Sequence, residues 1–139
     1  MAAPGSPLSE ALARVGDRWS LLVIDALMAS PQRYSDLARS VAGIAPNVLS
    51  ERLRRLERAG VVVAERYSQR PLRYEYRLTE DGQELAGVIR LLATWGRGAE
   101  DHGGGLHHVA CGTALEARWY CPTCAAMVEE EGASDLHRV

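Results

Sequence analysis

Apolar residues recur at helical spacing near the start of the chain. Trp19, Leu22, Val23, Ala26 and Leu27 fall at i, i+3, i+4, i+7 and i+8, one face of a helix. Asp17 precedes that face as an N-cap, and Ser30-Pro31 ends it, because Pro disfavours helical backbone at the residue before it. Residues 7–15 predict a shorter helix ahead of it, closed by Gly16. Tyr34 to Val41 predicts a third, with Leu37 and Val41 inward. Gly43-Ile44-Ala45-Pro46 is a turn, and Pro46 suits a first helical position because its missing N–H needs no partner there. Leu49, Leu53 and Leu56 then form the buried stripe of a fourth helix, and Gly60 supplies a left-handed terminus.

Beyond Gly60 the pattern shortens. Val61 to Tyr67 and Arg73 to Leu78 are β-branched or aromatic and partly alternating. Ser68 to Leu72, with Pro71, separates them, which predicts a hairpin with a five-residue tip. Thr79 then caps a long helix whose Leu85, Val88, Ile89, Leu92 and Trp95 form a heptad-like apolar seam. Helix, helix, turn, helix, two-stranded wing, helix is the order of a winged helix-turn-helix, mainly α with a small β-wing. Gly103-Gly-Gly105 is a hinge into a Cys/His segment and an acidic end at Glu129–Glu131. The expected division is 1–102 for DNA binding and dimerisation, and 103–139 for hinge, zinc-ribbon-like hairpin and acidic tail.

Composition adds little by itself: 139 residues, 47% hydrophobic and 24% charged, an ordinary globular mixture. No run of 18 apolar residues exists, and the first residues lack the basic-then-apolar order of a secretory signal. A cytoplasmic location is expected, where thiols stay reduced. Charge changes the picture more. The net is only −2, but residues 31–77 carry ten Arg against five carboxylates, whereas 78–139 carry four Arg against ten. The positive excess coincides with the helix-turn-helix and wing. The chain contains no Lys, so the placement of Arg, rather than its abundance, is the informative feature.

Advancing 100° per residue from Leu49 places Leu53 and Leu56 within about 40° of it. Asn47, Glu51, Arg54 and Arg58 then point outward, with Ser50 and Arg55 on the flanks. A helix docked in the major groove presents its outer face to base edges, deepest at its N-terminal half. Asn47, Ser50 and Arg54 are therefore the base-reading candidates, since Asn matches adenine and Arg matches guanine through paired hydrogen bonds. Glu51 either accepts from cytosine or pairs with Arg55 within the helix. Arg33, Arg52, Arg55 and Arg58 are expected at phosphates or solvent. Arg70 and Arg73 mark the wing as a minor-groove or backbone clamp.

The blocks Val15-Gly-Asp-Arg-Trp-Ser-Leu-Leu-Val-Ile24, Arg33-Tyr-Ser-Asp-Leu37, Gly43-Ile-Ala-Pro-Asn-Val-Leu-Ser-Glu-Arg-Leu53 and Tyr74-Glu-Tyr-Arg-Leu-Thr79 resemble the HxlR family of bacterial winged-helix regulators, relatives of the MarR group. The resemblance covers about residues 6–97. It implies a homodimer, built mainly by the first and last helices, on an inverted-repeat operator near a promoter, with recognition helices ~34–36 Å apart. Two positions depart from it. Where many relatives have Cys at the start of the first helix, and some use it as a redox sensor, this chain has Ser6. Where many have Ser or Thr before the Pro of the recognition helix, it has Ala45, which cannot cap.

Cys111, Cys121 and Cys124 are the three cysteines. Cys121-Pro-Thr-Cys124 is a C-x2-C knuckle, and His108-Val-Ala-Cys111 repeats its spacing. H-x2-C-x9-C-x2-C resembles a small Cys3His zinc ribbon, with residues 113–120 expected to form the hairpin between the two turns. Four protein ligands would make the zinc structural. His107 and His102 compete with His108 for the fourth place, and a reversible Cys121–Cys124 disulfide or free thiols are the alternatives to metal.

These readings converge on a sequence-specific DNA-binding transcriptional regulator, with repression by promoter blocking as the commoner mode. The alternative is a protein-interaction module or a thiol- or metal-responsive sensor built on the Cys/His segment. No Ser-His-Asp set, phosphate loop or paired carboxylates accompany the thiols, so no enzyme is expected. A space between the first helix, Trp19 and the last helix leaves room for a small apolar effector, but Trp19 and Trp95 are read as core rather than as a binding box.

Overall fold

A computed structural model of the chain describes residues 5–98 and 105–128. The chain divides into two compact units, Met1–Ile89 and Arg90–Val139. In the first unit, α1 (Pro7–Val15) starts at Ser6, whose side chain accepts from the Ser9 amide at 3.1 Å. Ser6 is thus a helix cap. Asp17 caps α2 (Arg18–Ala29), accepting from the amides of Trp19 and Ser20. α3 spans Tyr34–Ser40 and α4 spans Pro46–Arg58. As expected, Ala45 offers α4 no side-chain cap.

The end of α4 shows why Gly60 is needed. The Val61 amide donates back to the Leu56 carbonyl and the Gly60 amide to Glu57, with Gly60 at φ +73°. This is the Schellman arrangement, in which the left-handed residue turns the last amides onto open carbonyls. Val61 and Leu56 both enter the core, which consists mainly of Val23, Ile24, Leu37, Leu49, Leu53 and Leu56. The last three are the buried stripe of α4, which packs against α2 and β1, and burial of a Leu is worth about 1.5–3 kcal/mol.

β1 (Val62–Gln69) and β2 (Leu72–Leu78) pair antiparallel from Val62↔Leu78 to Gln69↔Leu72, with a bulge at Tyr67. The wing is therefore longer than expected, and its tip is only Arg70-Pro71, joined by a cis peptide bond. Gln32 exchanges backbone hydrogen bonds with Tyr76 (2.9 and 2.7 Å), tying the wing to the α2–α3 connection.

The expected single long helix after Thr79 is two: α5 (Glu80–Glu84) and α6 (Ala86–Gly96), broken at Leu85. Thr79 is the cap, accepting from the Gly82 amide at 3.1 Å. Gly82 sits so close to Val61, the residue before β1, that a Cβ there would collide with the Val61 carbonyl oxygen. The first turn is held against Val61 and against Leu78 of β2, and the Leu85 amide closes a tight turn on the Gly82 carbonyl. Of the expected seam, Ile89 is buried and Leu85 half-buried, whereas Val88, Leu92 and Trp95 are exposed, Trp95 at 80%.

In the second unit, β3 (Trp119–Cys121) pairs with β4 (Ala126–Val128), and His107 bridges Ala114. The expected hairpin over 113–120 is not formed. Each pairing instead straddles one of the two Cys/His turns, which reverse at the positive-φ residues Gly112 and Ala125. Gly103, Gly104, His102 and the acidic run Glu129–Glu131 lie outside the described residues.

Candidate DNA-binding surface

α4 buries one stripe and offers the other. Asn47, Glu51, Arg54 and Arg58 are all exposed. Among the described residues, the exposed side chains of Asn47, Arg54 and Arg58 make no hydrogen bond or ion pair. Ser50 is half-buried, and its hydroxyl donates to Tyr34 Oη at 3.2 Å. Tyr34 Oη in turn donates to the Pro46 carbonyl at 2.8 Å. That chain joins α3 to the first turn of α4, although it ends on a carbonyl and leaves the amides that Ala45 cannot cap without a side-chain acceptor. Sequence reasoning missed this role of Tyr34; its position as first residue of α3, twelve before Pro46, carries no periodic signal.

The flank of α4 differs from the outward face. Arg52 Nε lies 3.1 Å and Arg55 Nη1 3.4 Å from the Asp17 carboxylate, and Arg55 Nη2 donates to the Ala13 carbonyl at 2.6 Å. Arg52 Nε is close enough for ion pairing but not directed enough for a hydrogen bond. Arg55, expected at phosphates or as the partner of Glu51, thus brackets α4 to α1 and α2. Its flexible stem reaches over the flank, where a helical wheel sees only a direction. Glu51 pairs instead with Arg52, at 3.2 Å.

Asp17 is the hub of this bracket. Partial burial disfavours its charge, but hydrogen bonds from the Ser20 hydroxyl and amide, with Arg52 and Arg55 nearby, outweigh that and hold its carboxyl below the ordinary range. Arg33 lies at the mouth of the α2–α3 turn, its guanidinium 3.4 Å from Asp36 and 3.5 Å from Tyr67 Oη on the wing. Arg39 also pairs with Asp36. Arg70 occupies the wing tip and Arg73 begins β2 after Leu72, both exposed. Arg66, opposite Tyr74 in the register, stacks 6.0 Å over its ring.

A cavity of about 210 Å³ lies against α1 and α5, lined by Ala11, Arg14, Val15, Val61, Asp81 and Leu85, among others. Trp19 does not line it. The Arg14–Asp81 ion pair at 2.6 Å spans this region. The volume is below the ~300–1,000 Å³ of ordinary small-molecule sites.

In the tail, His108 Nδ1 lies 3.4 Å from Cys111 Sγ. The Thr113 hydroxyl, 3.3 Å from Cys111 Sγ, and the Thr113 amide lower that thiol below its ordinary value. Cys121 is lowered likewise, first by the Cys124 amide, then by the Cys124 side chain and the Thr123 amide. His107 pairs through its backbone with Ala114 instead. Among the described residues no three His, Cys, Asp or Glu side chains gather round one point.

The sequence profile described as HxlR-like helix-turn-helix matches residues 14–103. The HTH-type transcriptional regulator Mb3122 of Mycobacterium bovis is 37% identical over 86% of this chain and 78% of its own. Among solved structures, a Pseudomonas aeruginosa protein, PA1374, superposes with TM-score 0.65 at 31% identity, covering 91% of this chain and 88% of that one. The redox regulator HypR in its oxidized form gives TM-score 0.63 at 29% identity, covering 66% and 95%.

Proposed function

This chain belongs to the HxlR-like helix-turn-helix family, and on that premise we propose that it is a cytoplasmic, DNA-binding transcriptional regulator that acts as a homodimer on an inverted-repeat operator and represses by blocking a promoter. The observation that carries this reading is the outward face of α4, where Asn47, Arg54 and Arg58 stand exposed while Leu49, Leu53 and Leu56 anchor the helix. Asn47 and Arg54 read bases; Ser50 steadies the helix start through Tyr34. Arg58, Arg33 and the wing residues Arg70 and Arg73 meet phosphates, and Glu51 lies between the two groups. Phosphate contacts supply affinity and register, and the α4 face supplies sequence preference.

A dimer accounts for the apolar positions that one chain leaves in water. Leu8 and Leu12 on α1, and Val88, Leu91, Leu92 and Trp95 on α6, are each exposed. Ordinary soluble chains do not keep so many large apolar groups on two helices without a covering partner. A second copy of the chain laid over both helices is the cover this reading assigns to them.

Selection of the full chain from a randomised duplex pool tests the reading. Enrichment of an inverted repeat with half-sites about one helical turn apart is expected. No enrichment from a dimeric sample, at low as well as physiological salt, would sink it.

A further inference from the structure

The two turns of the tail are copies of one another in backbone terms. In the first, His108 is followed three residues on by Cys111, then by Gly112 at φ +70°, and the chain returns at Thr113, whose carbonyl accepts from the His108 amide at 2.9 Å. In the second, Cys121 is followed by Cys124, then by Ala125 at φ +52°, and the chain returns at Ala126, which pairs with Cys121. Ala125 is the one non-glycine residue at positive φ among the described residues. An L-residue there is disfavoured by about 1–2 kcal/mol, so something must over-determine that conformation.

We propose that these turns are the two halves of a structural zinc(II) site with His108, Cys111, Cys121 and Cys124 as its four ligands. This goes beyond the DNA-binding reading and does not depend on it. A tetrahedral zinc with Zn–S about 2.3 Å and Zn–N about 2.0–2.1 Å sets neighbouring S and N ligands about 3.5 Å apart. His108 Nδ1 and Cys111 Sγ are already 3.4 Å apart, the edge of such a tetrahedron. The Thr113 hydroxyl lies 3.3 Å from the Cys111 sulfur. A donor so placed stabilises a metal-bound thiolate and orients it.

The surrounding segment gives the metal a job. No described residue from 105 to 128 is buried, and its pairings are a single bridge and a three-residue hairpin. Scaffolds of this size need a staple in place of a core. The two half-sites are not gathered into one cluster among the described residues; zinc closes one turn on the other. The spacing matches His108 rather than His107, because His108 occupies the position that Cys121 holds in the second turn.

The test is metal analysis and native mass spectrometry of the reduced full chain, purified without chelator. About one zinc per chain is expected, and replacement by cobalt(II) should give the intense d–d bands of a tetrahedral thiolate site. His108→Ala, Cys111→Ser and Cys121→Ser should each lower the bound zinc at least about tenfold, whereas His107→Ala should retain it. All four ligands lie outside the unit Met1–Ile89, so the helical signal of each variant should match the parent, which separates loss of zinc from misfolding. A zinc-free reduced protein, another metal such as iron, a Cys121–Cys124 disulfide in place of metal, or zinc that survives Cys121→Ser would each overturn the assignment.

Discussion

Replacing Asp17 by Ala removes the carboxylate that both caps α2 and pairs with the flank of the recognition helix. Three contributions are lost. The N-cap of α2, made to two amides at 3.1 and 3.0 Å, is worth about 0.5–2 kcal/mol. The Ser20 hydroxyl, fully buried, loses its acceptor at 2.6 Å, and an orphaned buried donor costs about 1–3 kcal/mol. The ion pairs to Arg52 and Arg55 involve side chains 21% and 34% exposed, so solvent screening limits them to about 0.5 kcal/mol each. The losses overlap because one carboxylate makes them all, and about 3 kcal/mol is the expected sum. Asp17→Asn keeps an acceptor for the cap and should cost about 1 kcal/mol. Urea unfolding at fixed protein concentration reads both. The pH dependence adds a second check. Asp17 titrates below the ordinary carboxylate range in the folded chain, so its contribution is fully present above the unfolded value of about 4 and is lost as pH falls through the folded one. The gap between wild type and Asp17→Ala should therefore be constant at neutral pH and narrow below about pH 4. A cost under about 0.5 kcal/mol, or a gap that stays the same in acid, would refute the hub.

Arg54→Ala should relax preference at one operator position and cost about 1–3 kcal/mol of binding, read by repeating the pool selection; Arg55→Ala, whose guanidinium is bound to Ala13 and Asp17, should leave base preference unchanged. Arg70→Ala should weaken binding to all sequences alike and reduce the salt slope by about one; an altered consensus would make the wing a base reader. Leu92→Glu should split the dimer in sedimentation while leaving the single chain folded, since Leu92 is 46% exposed without a partner, and a dimer of unchanged stability would place the interface elsewhere. Gly82→Ala should destabilise by more than the usual glycine substitution, because its Cβ meets rigid backbone at Val61; thermal unfolding within a degree or two of wild type would mean that α5 can move off Val61 at little cost.

The elements legible in the sequence are those whose ends are set by local chemistry. Asp17, Pro46 and Gly60 each act on backbone groups within four residues of themselves, so α2 and α4 begin or end where reading by caps puts them. The outward set Asn47, Arg54 and Arg58 follows from helical period alone, because the Leu stripe fixes the rotation of α4. What escaped was set by tertiary contact. The wing runs on through Ser68 and Gln69, where nothing is packed in alternation and the backbone ladder alone sustains the strand. Apolar spacing continues across Leu85, so period cannot show the break that the α5 contact with Val61 imposes.

Arg55 carries the sharper lesson for the site itself. A wheel gives the direction of a Cβ, but an arginine guanidinium is carried on a long flexible stem and settles where a carboxylate and a carbonyl are already placed. In this chain Asp17 and Ala13 are such a pair, formed by the junction of α1 and α2. Of the four arginines on α4, Arg52 and Arg55 are taken up in holding the helix, and Arg54 and Arg58 are left for a ligand. The same positive charge count can thus mean very different DNA contact counts. The salt slope of binding, which counts phosphates neutralised rather than arginines present, should follow the smaller set.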